Sequence, residues 1–395
     1  MSTVLRLLNR AWRPALVVTS LAVIAYVLYF HQLGGLLPGY APAEVATYHS
    51  AESWHYIASN PINAPYKLVL WAAITLGHHH YNATRFVAAL CGILAVIVFF
   101  FITKAWYGFR IGFLGSLMFA TSAGFLHVAR LGTPQILQMG ILVLIGMTVW
   151  HRRNTRLRPW LTYLVAIVFA LLLYAPGMVW FELLVVIVLY RRILSHWNKT
   201  AVLHRILWLS VTLAILAPLG MGVVTQSQLG MQLLGLPPHL STLVHLPRNL
   251  LDTILGIGVH SNGSALLWLG HVPLLDVVEL ILAFLGTYYY VYPERTLRSL
   301  LLAGSGLIGV LLASLGGPVG IACIIPIAYL LVAGGLNHFV SEWLTVFPRN
   351  PIAKSAGFAV IGLLLIFSIT FQMRAYFIAW PHHALTRQLF GVPPQ

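Results

Sequence analysis

Apolar runs, most of them 16–20 residues long, alternate with short polar connections along the whole chain. The pattern predicts spanning helices near 15–34, 86–103, 111–128, 135–150, 159–175, 177–190, 206–224, 275–292, 299–315, 318–336 and 356–373. Such runs match the ~30 Å hydrocarbon thickness of a bilayer. Their length and their richness in Leu and Ala make them helices rather than strands, and a helix satisfies its own backbone hydrogen bonds inside lipid. The expected fold class is an all-α integral membrane protein of about eleven transmembrane helices.

Two long segments interrupt the pattern, and both fall on the outer side. In the first, 35–85, Pro38, Pro42, Pro61 and Pro65 divide the chain. Pro42 suits the first position of a helix, so Ala43 to Ser59 reads as an amphipathic juxtamembrane helix, with a second piece from Tyr66 to Leu76. The other segment, 225–274, holds Pro237, Pro238, Pro247, Gly256, Gly258 and Gly263 among many Leu, Ile and Trp residues. That composition predicts a loop folded onto the membrane surface rather than a disordered one.

Composition agrees with this class: 59% of the 395 residues are hydrophobic and only 8% are charged, against roughly 25% in soluble domains. The net charge of +15 suggests nucleic acid until the cations are placed on the topology. Seventeen of the 23 Lys and Arg then fall on one side, leaving Lys67, Arg85, Arg130, Arg248, Arg374 and Arg387 on the other. The asymmetry puts the N-terminus in the cytoplasm and the C-terminus outside; no nucleic acid partner is expected. The two cysteines fall inside predicted spans and build neither a disulfide framework nor a metal motif. Cytoplasmic connections are short and carry no phosphate-binding fingerprint, so any chemistry belongs on the outer face.

Eight acidic residues make the search for chemistry short. On a helix from Ala43, positions 44, 48, 52 and 55 fall within an arc of about 80°. Glu44, Tyr48, Glu52 and His55 then share one face, with His49 beside it, and such a face could supply a general base; a solvated polar face is the plainer alternative. Glu182 sits about a turn inside the sixth span, where an ionisable group is a candidate binding residue by default. Asp276 and Glu279, at the start of span eight, suit helix capping. Arg130 could grip a lipid phosphate by bidentate contacts or anchor its helix. Arg248 and His260, in the second outer segment, join the substrate-binding candidates.

The stretch "PGYAPAEVATYHSAESWHYIASNPINAPYKLVLWAAITLG", the link "TKAWYGFRIGFLGSLMFATSAGF", the "AR" closing span three and "LLLYAPGMVWFELL" carry a family resemblance. Over roughly residues 1–195 the chain resembles the GT-C superfamily of polyprenyl-phosphate-sugar-dependent glycosyltransferases, in the branch of protein O-mannosyltransferases and aminoarabinose transferases. The resemblance implies a GT-C-like N-terminal module at 1–205, a C-terminal transmembrane module at 206–395, and no separate soluble domain. It implies a membrane transferase of the cell envelope; size and the lack of a retention signal point to a bacterial plasma membrane, with the endoplasmic reticulum left open. Its partners would be a polyprenyl-phosphate-linked sugar, membrane lipids and an acceptor of open class: protein, lipid or glycan.

Carried over residue by residue, the resemblance makes Glu44 the base and puts Arg85 and Arg130 near the phosphate. Family members commonly have an Asp-Glu pair where this chain has Ala43-Glu44, and an acidic residue where it has Gln135. Gln135 is kept as a substrate-binding candidate, and a divalent metal is disfavoured by Ala43 and Gln135. Two other readings stay open at this stage: a non-catalytic scaffold of the same fold, and a transporter or flippase of a lipid-like substrate.

Overall fold

The computed structural model describes residues 12, 16, 19–77, 80–153, 159–238, 244–261, 266–267, 270–292 and 297–392. Among the described residues each predicted segment overlaps a helix, 111–128 being split between two. The chain opens with α1 (Thr19–Phe30). The first long loop carries α2 (Pro42–His49), α3 (Trp54–Ser59) and α4 (Ala64–Thr75). Then come α5 (Asn82–Tyr107), α6 (Phe109–Thr121), α7 (Ala123–Arg130), α8 (Gly140–Arg153), α9 (Pro159–Leu172), α10 (Met178–Lys199) and α11 (Val202–Thr225). The second long loop carries α12 (Ser227–Leu233) and α13 (Leu246–Gly258), and α14 (Val277–Val291), α15 (Leu297–Ser314), α16 (Ile325–Val346) and α17 (Pro351–Arg374) complete the bundle.

Among the described residues, five helices are long and apolar enough to cross a membrane, or six if the bent pair α6–α7 is one span. Four shorter apolar helices accompany them. Large apolar side chains such as Val224, Leu213, Leu363 and Phe284 stand exposed along α11, α17 and α14, as lipid-facing positions do.

The core forms where α5, α6, α7 and α16 meet. Phe99 stacks on Phe119 at 4.5 Å, Phe119 stacks on Phe125 at 4.1 Å, and Tyr329 meets Phe119 edge-on. Helices α14 and α16 cross with their backbones nearly touching. A Cβ on Gly286 would lie 1.9 Å from the Leu331 carbonyl oxygen, and one on Gly335 1.8 Å from that of Leu282. Small residues at such a crossing are the membrane solution, because packing rather than water exclusion holds helices together in lipid.

Span three is broken. Ser122 leaves the helical region (ψ 135°), and α7 departs from α6 at 63°. The Ser122 hydroxyl accepts from Phe125 N, and the side-chain oxygen of Gln372, on α17, accepts from Ala123 N. Amides freed by the break thus find acceptors. Gln372 also donates to Glu279, which accepts from Tyr329 as well, and Asp276 accepts from Ser368. The predicted capping by Asp276 and Glu279 is present as a reciprocal capping box. The carboxylates do more than cap, since they tie α14, α16 and α17 to the break.

One face of the bundle gathers both long loops and the C-terminal segment. Tyr40 and Val392 form an antiparallel bridge, Gln226 donates to the Ser59 carbonyl, and Gly222 lies against Pro61. The pieces flanking the first and seventh predicted crossings therefore come together.

Candidate functional site

The predicted helix from Ala43 to Ser59 is two helices, which changes the site. Helix α2 starts at Pro42 as expected and stops at His49; Ser53 then caps α3 by accepting from Tyr56 N. Serine competes for nearby backbone groups, and the Ser50 hydroxyl does so by donating to the Thr47 carbonyl. Glu44 and Glu52 consequently do not share a face. Glu52 is exposed and pairs with His49 at 3.1 Å, His55 is exposed on α3, and Tyr48 packs edge-on against Tyr81. The shared polar face expected from the helical wheel is not formed.

Glu44 points inward and is fully buried. Its Oε1 accepts from Arg85 Nε at 2.7 Å and Gly132 N at 2.9 Å; its Oε2 accepts from Arg85 Nη2 at 2.8 Å and Ala41 N at 2.9 Å. A carboxylate has about four acceptor positions, and all are filled. Arg85 is 2% exposed, donates also to the carbonyls of Leu33 and Gly39, and lies over the Tyr40 ring. Arg130, 4% exposed, donates to the carbonyls of Leu28 and His31 at the end of α1 and faces the rings of Tyr376 and Phe377. Carbonyls left over at a helix C-terminus are natural partners for a cation.

These groups surround a cavity of about 10 Å³ closed by Leu36, Leu131 and Trp380, room for one water. On the other side of Tyr376 and Trp380 sits His127, whose ring meets theirs at 4.8 and 4.5 Å. Its Nδ1 is 2.6 Å from the Ala123 carbonyl, and its Nε2 has no partner.

The structure thus brings Glu44, Arg85 and Arg130, from three elements, to one small cavity. It does not bring the others. Gln135 lies on the 3₁₀ turn Pro134–Met139 beside Gly320, its Oε1 without a partner. Glu182 lines a separate groove. Arg248 is exposed, 4.0 Å from Asp252, and His260 is exposed against His271.

Sequence reasoning missed Lys67, Tyr376 and Trp380. Lys67 is 7% exposed, and its ammonium donates to the Asn60 carbonyl at 2.8 Å. Burial pushes it down to about 8. A lysine inside the apolar run of α4 was the available signal. Three of the six cations assigned to this face are therefore buried: Lys67, Arg85 and Arg130. The donor set does not fit a divalent metal, because every acceptor position of Glu44 is taken and neither Ala43 nor Gln135 adds a carboxylate.

No family model and no curated protein matches the chain in sequence. Among solved structures it is similar to ArnT from Cupriavidus metallidurans bound to undecaprenyl phosphate, with a TM-score of 0.55 and 14% identity over 95% of this chain and 76% of that one. The same protein in its apo state matches with a TM-score of 0.50 and 15% identity, over 97% and 77% of the two chains. At such identities the likeness shows the fold, which is the GT-C membrane fold expected from the N-terminal motifs.

Proposed function

We propose that this integral membrane protein transfers a sugar from a polyprenyl-phosphate donor to an acceptor hydroxyl on the outer face of a bacterial plasma membrane. One observation carries the proposal: Glu44, Arg85 and Arg130 converge, buried, beside the first long loop of a fold shared with a protein that has been solved with undecaprenyl phosphate bound.

The chemistry follows from competition for Arg85. A donor phosphodiester offers the guanidinium the same bidentate geometry as a carboxylate and the same single negative charge, and the charge grows as the bond to the sugar breaks. As Arg85 turns to the phosphate, two acceptor positions on Glu44 come free. Glu44 then takes the proton of the acceptor hydroxyl. The hydroxyl oxygen attacks the anomeric carbon, the bond from that carbon to the phosphate oxygen breaks, and polyprenyl phosphate leaves with the electron pair. Arg85 and Arg130 stabilise the charge it carries away. The cavity as it stands admits one water, so donor binding requires the first loop to lift from Leu131 and Trp380.

A non-catalytic scaffold of the same fold is the second reading, favoured by the saturation of Glu44. Purified protein in proteoliposomes, given a polyprenyl-phosphate sugar and an acceptor mixture, separates them. Release of free polyprenyl phosphate, lost in Glu44→Gln while donor binding persists, is the expected result. Donor binding without release in the wild type favours the scaffold, and no donor binding at all overturns the proposal.

A further inference from the structure

A second cavity stands apart from the cluster around Glu44. It is a groove of about 640 Å³ between α8, α9, α10 and α11. Its wall on α10 is a single stripe: Glu182, Val185, Val186, Leu189, Ile193 and Trp197. These positions fall at i, i+3, i+4, i+7, i+11 and i+15, one face of a helix. From Glu182 to Trp197 the stripe runs about 22 Å at 1.5 Å per residue, the scale of one extended hydrocarbon chain within a bilayer.

The two ends differ in chemistry. At the Trp197 end the polar groups are already engaged. The Tyr163 hydroxyl pairs with His204 Nδ1 at 2.7 Å. Arg205 donates to the carbonyls of Thr200 and Asn198 and lies over the Trp197 ring. At the other end Glu182 is 6% exposed, and its buried Oε1 has no hydrogen-bond partner. The cation lining this groove, Arg205, packs on Trp197 at the far end of the stripe. An intramembrane carboxyl is costly without a partner, and among the described residues the walls of the groove supply none to its Oε1.

We propose that the groove binds a single-chain amphiphile bearing a primary ammonium, with its hydrocarbon along the α10 stripe and its ammonium on Glu182. The ammonium supplies both what the carboxyl lacks, a hydrogen-bond donor and a counter-charge. A long-chain alcohol supplies only the donor. A fatty acid is repelled at Glu182, and Arg205 has carbonyl partners already. The stripe is about as long as one extended hydrocarbon chain, which suits a single-chain amphiphile.

The test measures binding of radiolabelled hexadecylamine to the full-length protein in nanodiscs of zwitterionic lipid, with hexadecanol and hexadecanoate as competitors. The amine should bind about tenfold or more tightly than the alcohol, the scale of a charge-assisted hydrogen bond, and the fatty acid should compete worst. Glu182→Gln should bring the amine down to the affinity of the alcohol. Arg205→Gln should leave the preference for the amine unchanged. Ala166→Phe, which fills the groove from α9 and leaves Glu182 in place, should abolish amine binding, so the proposal stays testable if the Glu182 variant fails to fold. Equal affinity for amine and alcohol in the wild type, tighter binding of the fatty acid, or a preference that survives Glu182→Gln overturns the proposal.

Discussion

Arg85 and Glu44, 41 residues apart in sequence, meet fork to fork: Nε lies 2.7 Å from Oε1 and Nη2 2.8 Å from Oε2. The pair joins α2 in the first loop to the start of α5. Through Gly132 N on Oε1 it also fixes the turn that follows α7. A planar guanidinium matches a carboxylate in two bonds at once, so the contact sets the orientation of the loop as well as its position.

The first prediction concerns this pair. Arg85→Met leaves a carboxylate buried with only backbone donors and should cost about 3–5 kcal/mol. The double variant Arg85→Met/Glu44→Met removes both charges and should lose less than the single one. Thermal unfolding in detergent, read as a double-mutant cycle, checks this. A double variant no more stable than Arg85→Met would mean that the pair is not coupled as its geometry requires.

Gly132 supplies the second. A Cβ built there falls 2.0 Å from Thr84 Oγ1, 2.6 Å from Thr84 Cβ and 3.0 Å from Arg85 N. Gly132→Ala should therefore push the turn off Glu44 and destabilise by about 1–3 kcal/mol. Adding Thr84→Ala should not restore stability, since the Thr84 Cβ and the Arg85 backbone remain in the way. Full recovery in Gly132→Ala/Thr84→Ala would show that the hydroxyl alone was the obstacle.

The sequence carried the helices and part of the site, for identifiable reasons. Spans are legible because lipid imposes length and apolarity locally. Arg85 and Arg130 stood out because cations are scarce on their side of the chain. The partnership of Glu44 with Arg85 is set by tertiary closure, and helical periodicity pointed Glu44 at Glu52 instead. That error came from extending one helix through Ser50 and Ser53, where side-chain hydrogen bonds end α2 and start α3. The break at Ser122 was hidden for the converse reason. One of its amides, Ala123 N, is satisfied by Gln372, about 250 residues away, and no local pattern announces such a partner.

That partner gives the third prediction. Gln372 holds Ala123 N with its oxygen and Glu279 with its amide. Gln372→Leu leaves Ala123 N without its acceptor and takes one donor from Glu279, which keeps Tyr329 and Asp276 N, and should cost about 1–3 kcal/mol. Neighbouring Phe371, which is exposed on α17, should tolerate Leu at little cost. The difference in unfolding temperature between the two variants is the measurement. Equal stability would mean that water or another side chain substitutes for Gln372 at the break.

Lys67 supplies the fourth, through pH. Its folded value is about 8 against an ordinary 10.5, because burial disfavours the charged form. Below about 8 both folded and unfolded states carry the charge, and the folded state bears the cost of burying it. Between 8 and 10.5 the unfolded chain binds more protons than the folded one, so stability rises with pH across that window. The full rise is about 3 kcal/mol. Lys67→Met, which keeps the length of the stem without the charge, should be more stable than the wild type below pH 8 and should lack the Lys67 part of the rise. Unfolding temperatures of the two proteins on one pH series decide it. Parallel curves from pH 7 to 10.5 would place the ammonium in water rather than beneath the C-terminus of α3, as its bond to the Asn60 carbonyl has it.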